Sequence, residues 1–327
     1  MIKVGLIGCG FMGTMHANCY KNIEGVELAA VADLRREKAE EVAQGTNATI
    51  YSDGKDLIAN ADLDIIDICL PTFLHAEYAL MAMDKVGYLF VEKPVTLTTE
   101  EGDALLAKSK ATGCKVQVGQ VVRFMDEYVE LKKIVESGKY GKVVNANFRR
   151  ISPRPEWGWK SWLLDCSLSG GAAQDLHVHD IDYVLSIFGE PENFYTLKNI
   201  IGEKNSYINT IMKYPEFVVG LEGTWDLPAS YAFNAMFRVV FENAVVENAG
   251  GKFVVYDKNG VHDIALEKKE IKGGGYSGGN ISDLGGYYNE LVSFCDAASR
   301  GADIEDATLY DGVASLKFLL KELEFNA

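Results

Sequence analysis

Up to about residue 122, short apolar runs alternate with longer segments that mix apolar and polar residues. The runs Val4–Ile7, Leu28–Ala32, Thr49–Tyr51, Ile65–Leu70, Tyr88–Val91 and Lys115–Gly119 read as strands. The mixed segments Met12–Asn22, Arg36–Gln44, His75–Val86 and Thr99–Thr112 read as helices. Regular alternation of this kind predicts an α/β domain built on a parallel, doubly wound sheet. Ligands of such sheets gather at the carboxyl ends of the strands. Pro71, Glu92-Lys93-Pro94 and Gln120 all lie just past strand ends and share that rim.

Beyond residue 122 the rhythm changes. Glu127–Ser137 reads as a helix, Val143–Ile151 as a strand, and Gly171–Phe188 as a long helix. Long strands follow at Asn193–Ile201, Tyr207–Tyr214, Phe217–Trp225, Ala235–Glu242, Ala244–Asn248 and Phe253–Tyr256, before closing helices near Asp283–Arg300 and Ala307–Phe325. Few helices separate these strands, so antiparallel pairing is expected. The reading is two domains, residues 1–122 and 123–327, the second an α+β domain with a mainly antiparallel sheet. The glycine-rich stretch Gly273–Gly279 reads as a loop, either a linker or a flap near a site.

Between the first two strands lies Gly8-Cys9-Gly10-Phe11-Met12-Gly13, and the second strand ends at Asp33. Strand, G-x-G-x-x-G turn, helix, strand and acid are the parts of a dinucleotide site. Gly8 allows the tight turn, Gly10 lets a pyrophosphate approach the backbone, and Gly13 lets helix and strand pack closely. Unpaired N–H groups at the helix N-terminus face the phosphates. Asp33, 20 residues after Gly13, accepts hydrogen bonds from the adenosine ribose and so favours NAD. Arg35 is placed to neutralise the extra phosphate of NADP if it swings over the adenine.

Composition narrows the remaining classes. A net charge of −15 argues against nucleic acid and against anionic membranes as partners. No uncharged apolar run reaches membrane-spanning length. Met1 leads directly into a strand, so a cytoplasmic protein is expected. None of the six cysteines is paired as C-x-x-C, which predicts reduced thiols and no metal site.

Two further clusters carry groups that move protons. Lys93, partly buried beside a cationic nicotinamide, would have the lowered pKa that proton transfer near neutrality needs, although a strand-end lysine before a turn proline also occurs without any such role. Asp175 and His179 stand four apart on one helix face, so the carboxylate can orient an imidazole that titrates near neutral pH. His177, two positions away, points elsewhere on a helix and disfavours an H-x-H metal site. Trp157-Gly158-Trp159-Lys160-Ser161-Trp162 holds three of the four tryptophans. Flat indoles suit sugar rings, but ordinary packing or a subunit contact accounts for them equally. Arg149, Arg150, Arg154 and Lys160 lie nearby and could bind an acidic group.

Together these residues resemble the glucose–fructose oxidoreductase / inositol dehydrogenase / rhizopine-catabolism family over nearly the whole chain. The markers are Gly8 to Gly13, Pro71-Thr72-Phe73-Leu74-His75, Glu92-Lys93-Pro94, Arg123-Phe124, and Gly170-Gly171 through Asp182. The resemblance implies a Rossmann domain followed by an open-faced sheet that shapes the substrate site and often mediates oligomers. It implies cofactor contacts from Gly8, Gly10, Phe11, Met12, Gly13, Asp33, Arg35, Pro71, Thr72, His75, Glu92, Lys93 and Gln120. It makes Lys93, Asp175 and His179 the catalytic set and substrate contacts as well, and Arg123, Trp157 and Trp162 are read as further substrate contacts. Two departures stand out: His177 replaces a common glycine, and Pro153–Leu164 is not widely shared, so it encodes substrate choice. The expected protein is an NAD(P)-dependent dehydrogenase of a cyclic polyol, sugar or sugar derivative, assembled as a homodimer or homotetramer. An NAD-dependent glycosidase acting by transient oxidation and a non-catalytic sugar sensor are the alternatives.

Overall fold

A computed structural model describes residues 1–198, 206–266, 271 and 284–325. The chain divides into two compact units, residues 1–121 with 269–316, and residues 122–268 with 317–327.

The first unit contains β1 (Ile2–Ile7), α1 (Phe11–Tyr20), β2 (Val26–Ala32), α2 (Arg36–Ala43), β3 (Thr49–Tyr51), α3 (Gly54–Asn60), β4 (Ile65–Ile68), α4 (His75–Ala82), β5 (Tyr88–Glu92), α5 (Thr99–Thr112) and β6 (Lys115–Gly119). The strands lie in the order β3-β2-β1-β4-β5-β6, every pair parallel. The order reverses between β1 and β4, which makes that crevice the expected ligand position. Val4, Leu6, Val31, Ile65 and Phe90 are all fully buried, as strands covered on both faces require. Thr98 caps α5 reciprocally with Glu101, and Gly113 ends it in the left-handed conformation.

The second unit contains α6 (Asp126–Ser137), β7 (Val143–Pro153), a 3₁₀ segment (Trp159–Leu164), the short α7 (Cys166–Ser169), a π-helical turn (Ala173–His177) and α8 (Val178–Phe188). β8 (Asn193–Lys198), β9 (Tyr207–Lys213), β10 (Val218–Leu227), β11 (Asn234–Phe241), β12 (Ala244–Ala249), β13 (Lys252–Asp257) and β14 (Gly260–Asp263) follow. With β7 they form one sheet in the order β14-β13-β12-β11-β7-β10-β9-β8. Every pair is antiparallel except β7 with β10. Alternation along the strands buries Phe148, Val219, Leu221, Phe237 and Val239 on one face. Tyr128 of α6 meets that face edge-on, 5.1 Å from Phe237, and Tyr183 of α8 packs edge-on against Tyr128.

The division differs from a single cut at residue 122. The closing helix α9 (Gly285–Arg300) packs on α1, burying Leu291 and Phe294 in the core of the first unit. Ala307 accepts from the Val118 amide at 2.8 Å, extending the edge at β6. The last helix, α10 (Leu309–Glu324), begins with the first unit's residues and ends with the second's. The expected loop Gly273–Gly279 and the end of the strand expected at Asn193–Ile201 lie outside the described residues. No helix among the described residues is long and apolar enough to cross a membrane.

Candidate active site

The three glycines of the turn have separate physical duties. Gly8 has φ +94°, in the left-handed region, and a Cβ there would lie 2.6 Å from the Cys69 carbonyl oxygen. That contact sits where β1 and β4 part. A Cβ on Gly13 would lie 1.8 Å from the Gly8 oxygen, so helix and turn touch with no room for a side chain. Beside Gly10 there is space: an added Cβ would meet only Arg35 Nη2, at 3.9 Å. No side chain caps α1 at Gly10, and its first turn, with half-buried Phe11 and Met12, carries no acid. An anion can therefore approach these amides without displacing a carboxylate.

Asp33 ends β2 against the same turn. Its Oδ2 accepts from the Cys9 amide at 2.9 Å and from Arg35 Nη2 at 3.1 Å. Its Oδ1 accepts from the Arg35 amide at 2.8 Å and from Arg35 Nε at 3.1 Å. Arg35 therefore lies folded onto the acid, forming a paired acid and base beside Gly10.

The rest of the rim follows β4, β5 and β6. Thr72 is buried in a 3₁₀ turn after Pro71. His75 is buried too; its Nδ1 lies 2.9 Å from the Pro94 carbonyl and its Nε2 2.7 Å from that of Leu70. Burial lowers its pKa. The ring thus ties two rim loops together. Glu92 turns inward and is buried, while Lys93 is the one residue from Leu89 to Thr96 that is not buried. The Lys93–Pro94 bond is cis. Gln120 is 1% exposed, and its Oε1 has no hydrogen-bond partner among the described residues. A buried, unanswered acceptor on the rim, open space at Gly10 and an uncapped helix start fit a dinucleotide.

In the second unit the segment expected as one helix begins as a π turn. The π turn covers Ala173–His177 and carries Asp175, while His179 lies in the first turn of α8. From Gly171 to Val184 only these two residues are not buried. His177 turns the other way and is fully buried, in space left by Gly223 of β10, where a Cβ would lie 2.6 Å from His177 Nδ1. Its Nε2 lies 3.4 Å from Glu322 Oε2. His177 thus packs beneath the turn.

Arg123, expected as a substrate contact, is buried, with Nε and Nη2 on the two oxygens of Asp182 at 2.7 and 2.8 Å. It fixes α8 to the segment after β6. Arg150 is likewise buried, bonded to Asp180 at 2.9 and 3.1 Å and to the Tyr128 hydroxyl at 3.1 Å. Both acids follow His179 within α8, so two ion pairs hold the helix that carries it. Trp157 is 51% exposed, whereas Trp162 packs against a cluster of Leu163, Ala172, Leu176 and Trp225. Lys160 and Ser161 between them adopt φ +51° and +56°, rare for side-chain-bearing residues.

Sequence reading passed over the polar groups beneath the rim: His16, Asp67 and Tyr20. One signal was available. Asp67 interrupts the apolar run Ile65-Ile66-Asp67-Ile68, and a carboxylate inside a buried strand demands partners. His16, Asp67 and Cys69 bring ligand atoms within 4.8 Å of one another, and hydrogen bonds among them hold that cluster together.

A family model described as an oxidoreductase family with an NAD-binding Rossmann fold matches residues 2–120, and a GFO/IDH/MocA C-terminal domain model matches residues 128–247. The chain belongs to the GFO/IDH/MocA oxidoreductase family. Among curated relatives, myo-inositol 2-dehydrogenase of Thermotoga maritima is 30% identical over 58% of this chain and 55% of its own length. The scyllo-inositol 2-dehydrogenase (NAD(+)) of Bacillus subtilis is 29% identical over 70% and 67%. The chain spans little more than half the length of the Thermotoga protein. Levoglucosan dehydrogenase, solved with NADH and levoglucosan, superposes with a TM-score of 0.84 at 20% identity, covering 99% and 97% of the two chains. At that identity the likeness establishes the fold.

Proposed function

We propose that this GFO/IDH/MocA protein is an NAD(P)-dependent dehydrogenase that oxidises a secondary alcohol of a cyclic polyol, sugar or sugar derivative. The observation that carries this reading is selective exposure. Lys93, Asp175 and His179 are the only half-buried positions in stretches that are otherwise fully buried, and each bears a group that can bind or move a proton. The printed activities of the inositol dehydrogenase relatives support the substrate class.

When bound, the nicotinamide supplies the hydride acceptor, which no side chain can provide. His179 takes the hydroxyl proton, Asp175 orients its ring or binds a neighbouring hydroxyl, and Lys93 donates a hydrogen bond to the same oxygen. Asp33 favours NAD, with Arg35 available to NADP. Trp157 offers an exposed indole to an apolar sugar face. Arg123 serves by holding α8. The protein acts as a cytoplasmic homodimer or homotetramer with no nucleic-acid or membrane partner.

The test is a panel of inositols, sugars and sugar derivatives with NAD and NADP, following absorbance of the reduced cofactor. Net reduction with at least one cyclic polyol or sugar supports the dehydrogenase. Aglycone release from glycosides without net reduction overturns it in favour of transient oxidation. Neither signal, with ligand binding retained, overturns it in favour of a sensor.

A further inference from the structure

Beneath the rim, one buried imidazole lies between two buried carboxylates. His16 of α1 is fully buried; its Nδ1 is 2.8 Å from Asp67 Oδ2 and its Nε2 makes an ion-pair contact with Glu92 Oε1 at 3.0 Å. The Tyr20 hydroxyl donates to Asp67 at 2.8 Å, and the Cys69 thiol lies 3.3 Å from His16 Nδ1. From α9, the Tyr287 ring comes to 6.3 Å, and Glu290 is buried on the same helix. Each ring nitrogen lies beside a carboxylate oxygen, Nδ1 hydrogen-bonded to Asp67 and Nε2 in ion-pair contact with Glu92 outside hydrogen-bond geometry, a setting that favours the imidazolium. Burial opposes that charge, but Cys69 and Asp67 outweigh it and raise the imidazole pKa well above its ordinary value.

The second oxygen of Glu92 reaches forward. Oε2 accepts from the backbone amide of Lys93 at 3.1 Å. Gly119, opposite on β6, leaves the carboxylate its place, since a Cβ there would lie 3.0 Å from its atoms. The chain of contacts therefore runs from α1, whose first turn faces Gly10, through His16 and Glu92 to the backbone of Lys93.

We propose that His16 is a positioning residue for Lys93, holding the Glu92 carboxylate inward so that the end of β5 presents the lysine in one orientation. This rests on the reading of Lys93 as a catalytic residue, and it joins the phosphate-facing helix to the proton-handling end of the site. The imidazolium also balances the Glu92 charge. Without it, that charge acts on the neighbouring ammonium; without the carboxylate, the imidazolium does.

The experiment labels purified full-length protein with acetic anhydride across a pH series and follows each lysine by peptide mass spectrometry. His16→Gln is expected to move the Lys93 labelling midpoint up by about one pH unit, and Glu92→Gln to move it down, the scale of a charge interaction at an effective dielectric near 20. Surface Lys108 serves as the reference and is expected to hold still. Opposed shifts support the proposal. An unmoved Lys93, or shifts of the same sign, in variants with native circular dichroism overturns it. Turnover gives the second arm: His16→Gln is expected to lower kcat about tenfold with KM for NAD changed less than twofold, and to cost nothing further in a Lys93→Ala background. Multiplicative losses overturn the proposal. Full activity of Lys93→Ala alone overturns the catalytic reading instead, while the labelling result still judges the His16–Lys93 link.

Discussion

The carboxylate of Asp33 carries the guanidinium of Arg35 as a two-point pair, Nε on one oxygen and Nη2 on the other, both at 3.1 Å. An acid that meets ribose hydroxyls and a base that meets a 2′-phosphate thus share one contact. With NAD the acid is expected to turn to the ribose. Hydrogen bonds to a charged group contribute about 1.5–3 kcal/mol, so kcat/KM is expected to favour NAD over NADP by about ten- to hundredfold. Asp33→Ala frees Arg35 and should reverse the preference, while Arg35→Ala should lower NADP use and spare NAD. Steady-state kinetics with both cofactors checks this; equal wild-type values would mean that Arg35 fully compensates.

Lys93→Ala should lower kcat by about a hundredfold or more, the range for a lost acid–base group, with dinucleotide affinity retained. The motivation is that it alone is not fully buried at the end of β5. Fluorescence titration with NADH, beside turnover, separates the two effects. Near-normal turnover in the folded variant would remove Lys93 from the reaction.

His179→Asn should abolish a rate limb near neutral pH. As the base His179 must be neutral, so alcohol oxidation is expected to rise with pH as the imidazole loses its proton. Asp175→Asn should weaken the limb, because the ring loses its orienting charge. Superimposable pH–rate profiles of wild type and His179→Asn would make the histidine structural.

Particular residues show what the sequence makes legible. The six parallel strands and the glycine turn were readable because buried strands and G-x-G-x-x-G are local patterns. α3, only seven residues long, was missed; its signal was Asp53, whose side chain accepts from the Lys55 amide at its start. The return of α9 to the first unit was not readable, since its packing on α1 joins helices far apart in sequence. The parallel β7–β10 pair escaped for the same reason: adjacency in the sheet depends on how long connections cross. Asp175 and His179 were picked out by spacing, while the π turn that carries Asp175 left no local signal in the sequence. Arg123 was visible as a marker, but its place on Asp182 required the fold.

The second unit's sheet leaves an apolar patch at one side. Tyr195 and Ile211 pair across β8 and β9, and with Leu197 and Val218 they are all at least 41% exposed. β10 itself adds little apolar surface, since its outward positions also include Gly220 and Glu222. The patch is expected to be covered by a second copy. Light scattering at micromolar concentration should give a dimer or tetramer mass, and Ile211→Lys should lower it. A monomeric wild type would refute the assembly.

Gly10→Ala and Gly13→Ala should fail in different ways. The Cβ added at Gly10 meets only Arg35 Nη2, at 3.9 Å, an ordinary contact, so folding should be unaffected, yet it occupies the space beside the turn where a pyrophosphate would lie. The expected outcome is an unchanged Tm and dinucleotide affinity weakened by about tenfold, or ~1.4 kcal/mol. The Cβ added at Gly13 lies 1.8 Å from a backbone oxygen, which no rotamer relieves. Overpacking of this kind costs about 1–3 kcal/mol, at about 2–4 °C of Tm per kcal/mol. Calorimetry beside NADH titration separates the two variants. If Gly10→Ala bound NADH as tightly as wild type, the pyrophosphate would have to lie elsewhere, and the turn would be a packing device alone.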